Sequence, residues 1–390
     1  MSETVDLLIV GGGPAGLEAA RAYRKRRREG EVAIIADEHR MPYERPPLTK
    51  ELLRGELGFD ELAIEDEDWL TEQRVRLISG RAVTLDAGGR TIELSGGRRL
   101  SYATCLLATG AEPTRLPIPG ADHPRVRVVR TADHVCELLE RLTDGARVTV
   151  IGSGFIGCEI AASLRMRGQP VELVSDEAAP NAARLGDEAA GIIRGWLRED
   201  GVMLALGTPV DRIEPGGDTA TVIAGERRIE ADVIVMASGV SPRSELAGQA
   251  GLALDHGAIE VNASMRTGRD GVLAAGDVCK AHNLAAGRAL RVEHWGDALS
   301  QGEIAGATAA GADDGWDSVP GFWSTIGTRT LKYAAWGDGY DQTHLERHHD
   351  GTFTAWYGAD GRVVGVLTHG ADEDYERGSE QIAQGARWTW

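Results

Sequence analysis

The chain has 390 residues, of which 42% are hydrophobic and 26% charged, as is usual for a globular protein. This length exceeds a single hydrophobic core, so we expect two or three domains. The formal net charge of −18 argues against wholesale binding of nucleic acid. No run of about 18 apolar residues predicts a membrane span. A β-rich run that begins by Val5 leaves no room for a signal peptide, so we expect a cytoplasmic protein.

Two glycine fingerprints of the form G-x-G-x-x-G stand between β-rich runs and Ala-rich helical patterns, at residues 11–16 and 152–157. Such glycines permit a tight turn, close approach of the backbone to a pyrophosphate, and close packing of helix on strand. The helix N-terminus then favours the phosphate charge. Two such sites imply two dinucleotides and suggest electron transfer between them. The predicted contacts are Gly11, Gly13, Pro14, Ala15 and Gly16 in the first site, and Gly152, Gly154, Phe155, Ile156 and Gly157 in the second.

The order of elements repeats in the two halves, which indicates an internal duplication. Alternating strands and helices of this kind predict parallel, doubly wound α/β sheets. A late apolar strand near residues 271–277 belongs most naturally to the first sheet, which makes the first domain discontinuous. From about residue 315, shorter β-like runs predict a separate α+β domain. We therefore predict two Rossmann-like dinucleotide-binding domains and a small C-terminal α+β domain.

An acidic residue at the end of the second strand of such a unit binds the adenosine ribose hydroxyls. In the first unit the candidate is Asp37, with Glu38 as the alternative, and a solvated loop acid is the other interpretation. In the second unit the equivalent position falls at Ser175, with Asp176 and Glu177 next. No Arg or Lys stands beside them to receive a ribose 2′-phosphate, which favours NADH over NADPH.

Neither the cysteines nor the histidines form a pattern that predicts a cross-link or a metal site. The four cysteines include no close pair: Cys105, Cys136, Cys158 and Cys279. This predicts no disulfide framework and agrees with a reducing compartment. The adjacent His348-His349 pair has no companions at ligand spacing, so we predict no metal site.

Further motifs accompany the fingerprints: residues 42–50 (PYERPPLTK), 108–110 (ATG), 276–277 (GD) and 291–295 (RVEHW). Together they resemble the FAD-dependent ferredoxin reductases of oxygenase systems, in the group that includes rubredoxin reductases and apoptosis-inducing-factor-like proteins. The resemblance covers residues 1 to about 310 well and the remainder loosely. It implies a glutathione-reductase-like architecture. The FAD-binding domain would comprise residues 1–113 and 243–314, the NAD(P)H-binding domain 114–242 and the C-terminal domain 315–390.

The resemblance also implies cofactor contacts. Asp37 would hold the FAD ribose, the backbone of Val83 would meet the adenine, and Asp277 would bind the ribityl chain. Trp295 would lie at the pyrimidine edge of the flavin, at a helix N-terminus that stabilises negative charge. For His294 a turn role stays as open as an acid/base role. The remaining implied contacts are Arg45, Lys50, Ala108, Thr109, Gly110, Arg130, Gly276 and Glu293 for FAD, and Glu159, Ser175, Asp176 and Gly239 for the nicotinamide cofactor.

Lys50 and Glu159 are the implied catalytic residues. Relatives pair such a lysine and glutamate beside flavin N5, where the hydride arrives. The cation would favour the electron-rich reduced flavin, while the carboxylate would compensate the buried charge and could orient the nicotinamide amide. A surface ion pair between a loop and a helix is the alternative interpretation.

The implied activity is hydride transfer from NADH or NADPH to FAD, followed by electron delivery to an external acceptor. Disulfide reductases of the same fold carry a reactive cysteine in the segment corresponding to residues 41–50, where this chain has none. A ferredoxin-type iron–sulfur protein is the leading acceptor. The alternatives are reduction of quinone, oxygen or another small oxidant, and a redox-responsive binding flavoprotein like apoptosis-inducing factor. Ferredoxin reductases tend to read F-W-S-D-Q where this chain reads FWSTI at residues 322–326, which leaves the acceptor open. The sequence allows a monomer or a homodimer.

Overall fold

The computed structural model describes residues 4–390, which fold into two compact units. The first unit comprises the chain up to Glu44, together with Ala63–Glu112 and Ser241–Phe322. The second comprises Arg45–Leu62, Pro113–Val240 and Trp323–Trp390. Short strands, Ala111–Pro113 and Val240–Pro242, lie where the chain passes from one unit to the other. The division into three domains stays a prediction.

The first unit is built on a seven-stranded sheet with a parallel centre. Its buried central strands are rich in Val, Ile and Leu, a composition typical of parallel sheets covered on both faces. Val272–Ala274 pairs in parallel with Arg99–Leu107, so the late strand joins the first sheet as predicted. The strand order is Val75–Ser79, Val32–Ala36, Thr4–Val10, Arg99–Leu107, Thr91–Leu94 and Ala82–Asp86, the last two antiparallel.

Two helices of the first unit approach each other through glycines. A Cβ atom on Gly302 would lie 2.4 Å from the carbonyl oxygen of Ala15, and one on Gly306 would lie 2.1 Å from that of Ala19. Glycine is therefore needed at both positions, because a methyl group would clash with backbone. The two helices in contact are Pro14–Arg26 and Trp295–Ala309. The first unit also contains the helices Glu67–Glu72 and Glu245–Gln249. A second sheet of this unit contains Leu254–Asp255, Ala258–Val261, Cys279–Asn283 and Arg288–Arg291.

The second unit repeats the doubly wound pattern around a five-stranded parallel sheet. Its strand order is Met203–Ala205, Val171–Val174, Val148–Ile151, Val233–Met236 and Val126–Arg127. An antiparallel three-stranded sheet follows, made of Arg212–Pro215, Ala220–Ala224 and Arg227–Ala231. The helices before the C-terminal sheet are Pro46–Thr49 (3₁₀), Glu51–Arg54, Phe59–Leu62 (3₁₀), Ala132–Leu139, Phe155–Met166 and Ala182–Glu199.

The C-terminal part of the chain is an antiparallel sheet with one helix. The sheet has five strands in the order Gly321–Ile326, Arg329–Ala335, Arg362–His369, Phe353–Ala359 and Gln342–Arg347. A 3₁₀ turn, His349–Gly351, leads into the fourth of these, and the helix Asp372–Ala383 packs on the sheet. The predicted α/β class with a smaller α+β C-terminal part is confirmed. Within residues 4–390, no helix combines the length and apolarity that crossing a membrane requires.

The glycine contact between the two helices predicts a specific cost for Gly306→Ala. The added methyl group would meet the backbone of Ala19, so we expect a loss of about 2 kcal/mol of stability and a lower melting temperature. Gly191→Ala is the control. Gly191 lies in the helix Ala182–Glu199, and a Cβ atom there would meet nothing within 4 Å. That variant should gain about 0.5 kcal/mol. Equal melting temperatures for the two variants would contradict the close approach.

Candidate dinucleotide sites and a buried lysine–glutamate pair

The two glycine turns have the same backbone geometry. Gly11 has φ of 123°, and a Cβ on it would lie 2.0 Å from the carbonyl oxygen of Ala108. Gly152 has φ of 106°, and a Cβ on it would lie 2.3 Å from that of Ala237. Only glycine is free of strain at either position, since the conformation and the space both exclude a side chain.

The other fingerprint glycines divide into close-packed and open positions. A Cβ on Gly16 would lie 2.1 Å from the oxygen of Gly11, and one on Gly157 equally close to that of Gly152. A Cβ atom on Gly13 or on Gly154 would meet nothing within 4 Å. The helices Pro14–Arg26 and Phe155–Met166 begin directly after these two glycines. Each turn therefore presents bare backbone at a helix N-terminus, the feature that binds a pyrophosphate. The residues present fit two dinucleotides.

A cavity of about 450 Å³ in the first unit gathers several predicted contacts. Gly11, Asp37, Val83 and Thr109 all line it, although they come from four separate segments of the chain. Asp37 is exposed there, at the end of the strand Val32–Ala36. The alternative, Glu38, accepts a hydrogen bond from the hydroxyl of Tyr43. Asp37 is therefore the better placed of the two acids.

Arg243 lines the same cavity and was not predicted. Its Nη2 lies 3.4 Å from Oδ2 of Asp37, and its backbone oxygen accepts a hydrogen bond from Oγ1 of Thr109 (2.7 Å). Its amide donates to the oxygen of Gly110 (2.9 Å). Arg81 also lines the cavity. No motif marks either arginine in the sequence, because each becomes relevant only when the fold brings distant segments together.

The G-D pair and the helix Trp295–Ala309 meet through a glutamine. Gly276 has φ of 81°, and its amide donates to Oε1 of the buried Gln301 (2.9 Å). Asp277 is only 8% exposed. Since a buried carboxylate is costly unless hydrogen-bonded, its environment must be polar. Gln301 was absent from the predicted contacts, and its place six residues into a helix carries no sequence signal.

Residues at the start of this helix form their own contacts. Nδ1 of His294 lies 3.0 Å from Oδ2 of Asp297, and its ring packs against Phe322 with centroids 4.6 Å apart. The carboxylate of Asp297 also accepts from the amide of Gly321 (3.3 Å). Glu293 is exposed and pairs with Arg291 at 2.6 Å. His294 is thus oriented by an acid in the first turn, whereas Glu293 belongs to a surface ion pair.

Strand register identifies the acid of the second site. In the first unit Ile35 pairs with Val10, and Asp37 lies two residues later. In the second unit Val174 pairs with Ile151, so the matching residue is Asp176. Asp176 is exposed. Ser175, where the sequence placed the equivalence, is one residue too early.

Ser175 is buried and has an internal partner. Its Oγ accepts a hydrogen bond from Oγ of Ser153 in the glycine turn (2.8 Å). The amide of Glu177 donates to the same oxygen (3.2 Å). The role of Ser175 in the structure is therefore to tie the end of the strand to the turn, which leaves Asp176 as the acid presented at the surface.

Lys50 and Glu159 form a buried ion pair within the second unit. Nζ of Lys50 lies 2.8 Å from Oε2 of Glu159, and their side chains are 6% and 3% exposed. Nζ also donates to the backbone oxygen of Pro46 (2.8 Å). Thr49 donates its hydroxyl to the same carboxylate oxygen. The alternative of a surface ion pair is therefore wrong.

The second carboxylate oxygen of Glu159 has partners from the C-terminal sheet. Oε1 accepts from Oγ of Ser324 (2.8 Å) and from the amide of Thr325 (3.2 Å). Thr325 lies where the FWSTI segment departs from the F-W-S-D-Q pattern, whereas Ser324 matches that pattern. Ser163, one turn further along the glutamate helix, donates to the backbone oxygen of Thr49 (2.7 Å). Two segments thus converge on one carboxylate, and both of its oxygens are satisfied.

The other predicted contacts of the second unit are on its turns and loops. Arg45 donates through Nη1 to the backbone oxygen of Arg130 (2.7 Å), which brings these two predicted contacts together. Gly239 has φ of 94°, and its oxygen accepts from the amide of Thr114 (2.9 Å). Ile156, in the first turn of the glutamate helix, is 49% exposed. Their contacts with a cofactor stay predictions.

The cysteines are placed as structural residues. Cys105, Cys158 and Cys279 are buried, and Cys136 is half-buried. Burial raises the pKa of the Cys105 and Cys158 thiols well above the usual range, and it raises the pKa of Cys279 to about 12. The thiolate is the reactive form, so these three groups are poor nucleophiles at neutral pH. Thiol–disulfide chemistry has no suitable residue among them.

Comparisons with known proteins agree over most of the chain. The family model described as pyridine nucleotide-disulphide oxidoreductase matches residues 5–302. Rhodocoxin reductase from Rhodococcus erythropolis is 32% identical, over 95% of this chain and 88% of the relative. The anthranilate 1,2-dioxygenase system ferredoxin–NAD(+) reductase component from Burkholderia cepacia is 33% identical, over 97% and 94%.

A solved structure extends the similarity to the C-terminal sheet. The crystal structure of the ferredoxin reductase for the CYP199A2 system from Rhodopseudomonas palustris superimposes with a TM-score of 0.93 at 30% identity. The match covers 100% of this chain and 96% of that one. The chain therefore belongs to the pyridine nucleotide-disulphide oxidoreductase family, as an oxidoreductase of its ferredoxin–NAD(P)+ reductase branch.

Proposed function

We propose that this flavin-dependent NAD(P)H oxidoreductase delivers its electrons to a ferredoxin-type iron–sulfur protein and takes them from NADH. The family depends on FAD and a pyridine nucleotide. The observation that carries the proposal is the buried Lys50–Glu159 pair in a chain whose cysteines suit no thiol relay. Without a thiol relay, electrons leave from the flavin itself. Relatives whose names specify ferredoxin reduction support the choice of acceptor.

Each dinucleotide has its own set of binding residues. The turn at residues 11–16, Asp37, Val83 and Asp277 would hold FAD, and the turn at residues 152–157 with Asp176 would hold the nicotinamide cofactor. FAD accepts two electrons as hydride and can release them one at a time, which suits an iron–sulfur acceptor. The protein supplies binding, orientation and charge.

Lys50 is the residue whose charge bears on the reaction. A buried ammonium group stabilises nearby negative charge more strongly than one in water, because the surrounding dielectric is low. Glu159 pairs with that ammonium group and orients it, while Ser324 and Thr325 hold the carboxylate in place. The pair would therefore favour the reduced flavin without itself exchanging a proton.

Asp176 is the residue that favours NADH. A carboxylate at the end of the second strand accepts hydrogen bonds from both ribose hydroxyls, and it repels a 2′-phosphate. Asp176 corresponds to Asp37 by strand register. In each unit the acid comes two residues after the residue that pairs with the last residue of the strand before the glycine turn. The Burkholderia cepacia relative, whose name specifies NAD(+), is similar over 97% of this chain, which also supports NADH as the electron donor.

The acceptor is tested by cytochrome c reduction with NADH in the presence and absence of a [2Fe–2S] ferredoxin from an oxygenase system. We expect the rate to rise about tenfold or more with ferredoxin, since cytochrome c is then reduced through the iron–sulfur protein. An equally fast reaction without ferredoxin, or with quinone or oxygen alone, would contradict the proposed acceptor. Slow reduction with a long-lived charge-transfer band and a changed oligomeric state would indicate a redox-responsive binding protein.

Lys50→Met should slow flavin reduction by NADH about tenfold or more, equivalent to at least ~1.4 kcal/mol of the barrier. The measurement is anaerobic stopped-flow absorbance at equal FAD content. Lys332→Met is the control, because Lys332 forms a half-exposed ion pair with Asp372 at 2.9 Å.

Removal of Lys50 alone leaves Glu159 as an uncompensated buried charge, which costs about 3–5 kcal/mol. The double variant Lys50→Met/Glu159→Gln removes both charges and should be more stable than the single variant, yet still slow. Reduction at the wild-type rate in the double variant would rule out the role given to Lys50.

The kcat/KM for NADH should exceed that for NADPH by about tenfold or more, since the 2′-phosphate of NADPH would be repelled by the carboxylate of Asp176. Asp176→Ser should narrow this ratio, whereas Asp218→Asn, at an exposed loop acid of the same unit, should not. A wild-type preference for NADPH, or an unchanged ratio in Asp176→Ser, would show that other residues discriminate.

A further inference from the structure

A cluster of potential metal ligands lies at the edge of the C-terminal sheet. Glu346, His348 and Asp374 each offer one ligand atom, and these atoms all lie within 4.8 Å of one another. Nε2 of His348 is 3.4 Å from Oδ2 of Asp374. Nε2 of a further residue, His344, is 3.6 Å from Oε1 of Glu346. One imidazole and two carboxylates thus come within reach of one point, and a second imidazole lies beside Glu346.

The cluster follows from strand geometry. Side chains alternate between the two faces of a strand, so residues 344, 346 and 348 share one face. Along the edge strand Gln342–Arg347, His344 pairs with Trp356 and Glu346 with Thr354. Oγ1 of Thr354 lies 3.0 Å from Nε2 of His348 and also donates to Asp374 in the first turn of the C-terminal helix. The helix therefore supplies its carboxylate to the same face.

The candidate ligands are held by neighbouring donors. Arg377 binds Oδ1 of Asp374 at 2.8 Å, while Oδ2 accepts a hydrogen bond from Thr354 and lies 3.4 Å from Nε2 of His348. Nε1 of Trp390 donates to Oε1 of Glu346 (3.1 Å). Trp390 in turn stacks on the buried Trp356, with centroids 4.7 Å apart. Such outer hydrogen bonds orient ligands in metal sites and raise affinity.

We propose that Glu346, His348 and Asp374 bind a divalent first-row transition metal ion such as Zn²⁺. Mixed nitrogen and oxygen donors suit Zn²⁺ and its neighbours, whereas Mg²⁺ and Ca²⁺ prefer oxygen alone. Two carboxylates balance the charge of the ion. The bound metal links the edge strand to the helix Asp372–Ala383 and so stabilises the C-terminal sheet. This inference is independent of the proposed function.

The test is a calorimetric titration of Zn²⁺ into tag-free, FAD-loaded protein, with Mg²⁺ as the comparison ion. We expect one Zn²⁺ per chain, with much weaker binding of Mg²⁺. His348→Ala should weaken Zn²⁺ binding about tenfold or more, since a ligand is lost. His349→Ala is the matched control, because this exposed neighbour is absent from the cluster and should bind like wild type.

A second measurement does not depend on calorimetric stoichiometry. A ligand that binds only the folded chain raises its melting temperature, so Zn²⁺ should stabilise the wild type and His349→Ala but not His348→Ala. Absence of saturable Zn²⁺ binding would overturn the proposal, as would equal affinities for His348→Ala and His349→Ala. Neither readout involves flavin reduction, so failure here leaves the proposed acceptor and donor unaffected.

Discussion

The buried carboxylate of Glu159 is the interaction around which residues 49–50 and 324–325 of the second unit are arranged. It is almost completely buried and accepts hydrogen bonds from four groups in two segments of the chain, residues 49–50 and 324–325. Burial of an unpaired carboxylate is strongly unfavourable, so the lysine, the threonine and the C-terminal strand must fold together around it. The same arrangement buries the ammonium group of Lys50 beside the carboxylate.

The two predicted nucleotide sites share one backbone arrangement. In each unit, a glycine with positive φ lies against the carbonyl of a neighbouring strand, and a second glycine packs against the first. These contacts leave no room for side chains, which explains the spacing of the fingerprints. The open glycine before each helix then exposes the N–H groups that bind phosphate. The two turns differ in the residues around them. Arg243 lies next to Asp37 in the first unit, and Ser153 donates a hydrogen bond to Ser175 in the second.

Sequence reasoning was effective where function is encoded locally. The glycine turns, Asp37 and the strand Val272–Ala274 all carry short-range patterns, and each was placed correctly in the fold. The sequence did not predict the contacts of four residues, because each contact depends on a partner far away in the chain. These residues are Ser324, Thr325, Arg243 and Gln301. The shift from Ser175 to Asp176 shows a related difficulty: strand register, which decides the equivalence, depends on pairing that a single strand does not reveal. Glu346 and His348 lie two residues apart, but Asp374 comes close to them only after folding, so the sequence predicted no metal site there.

The most direct measurement is an anaerobic titration of the purified protein with NADH, followed by visible absorbance. A protein built around two dinucleotide turns and a buried cation should contain about one FAD per chain. Its flavin absorbance should bleach with one equivalent of NADH. A colourless protein that takes up no FAD on reconstitution, or a flavin that stays oxidised in excess NADH and NADPH, would contradict the assignment.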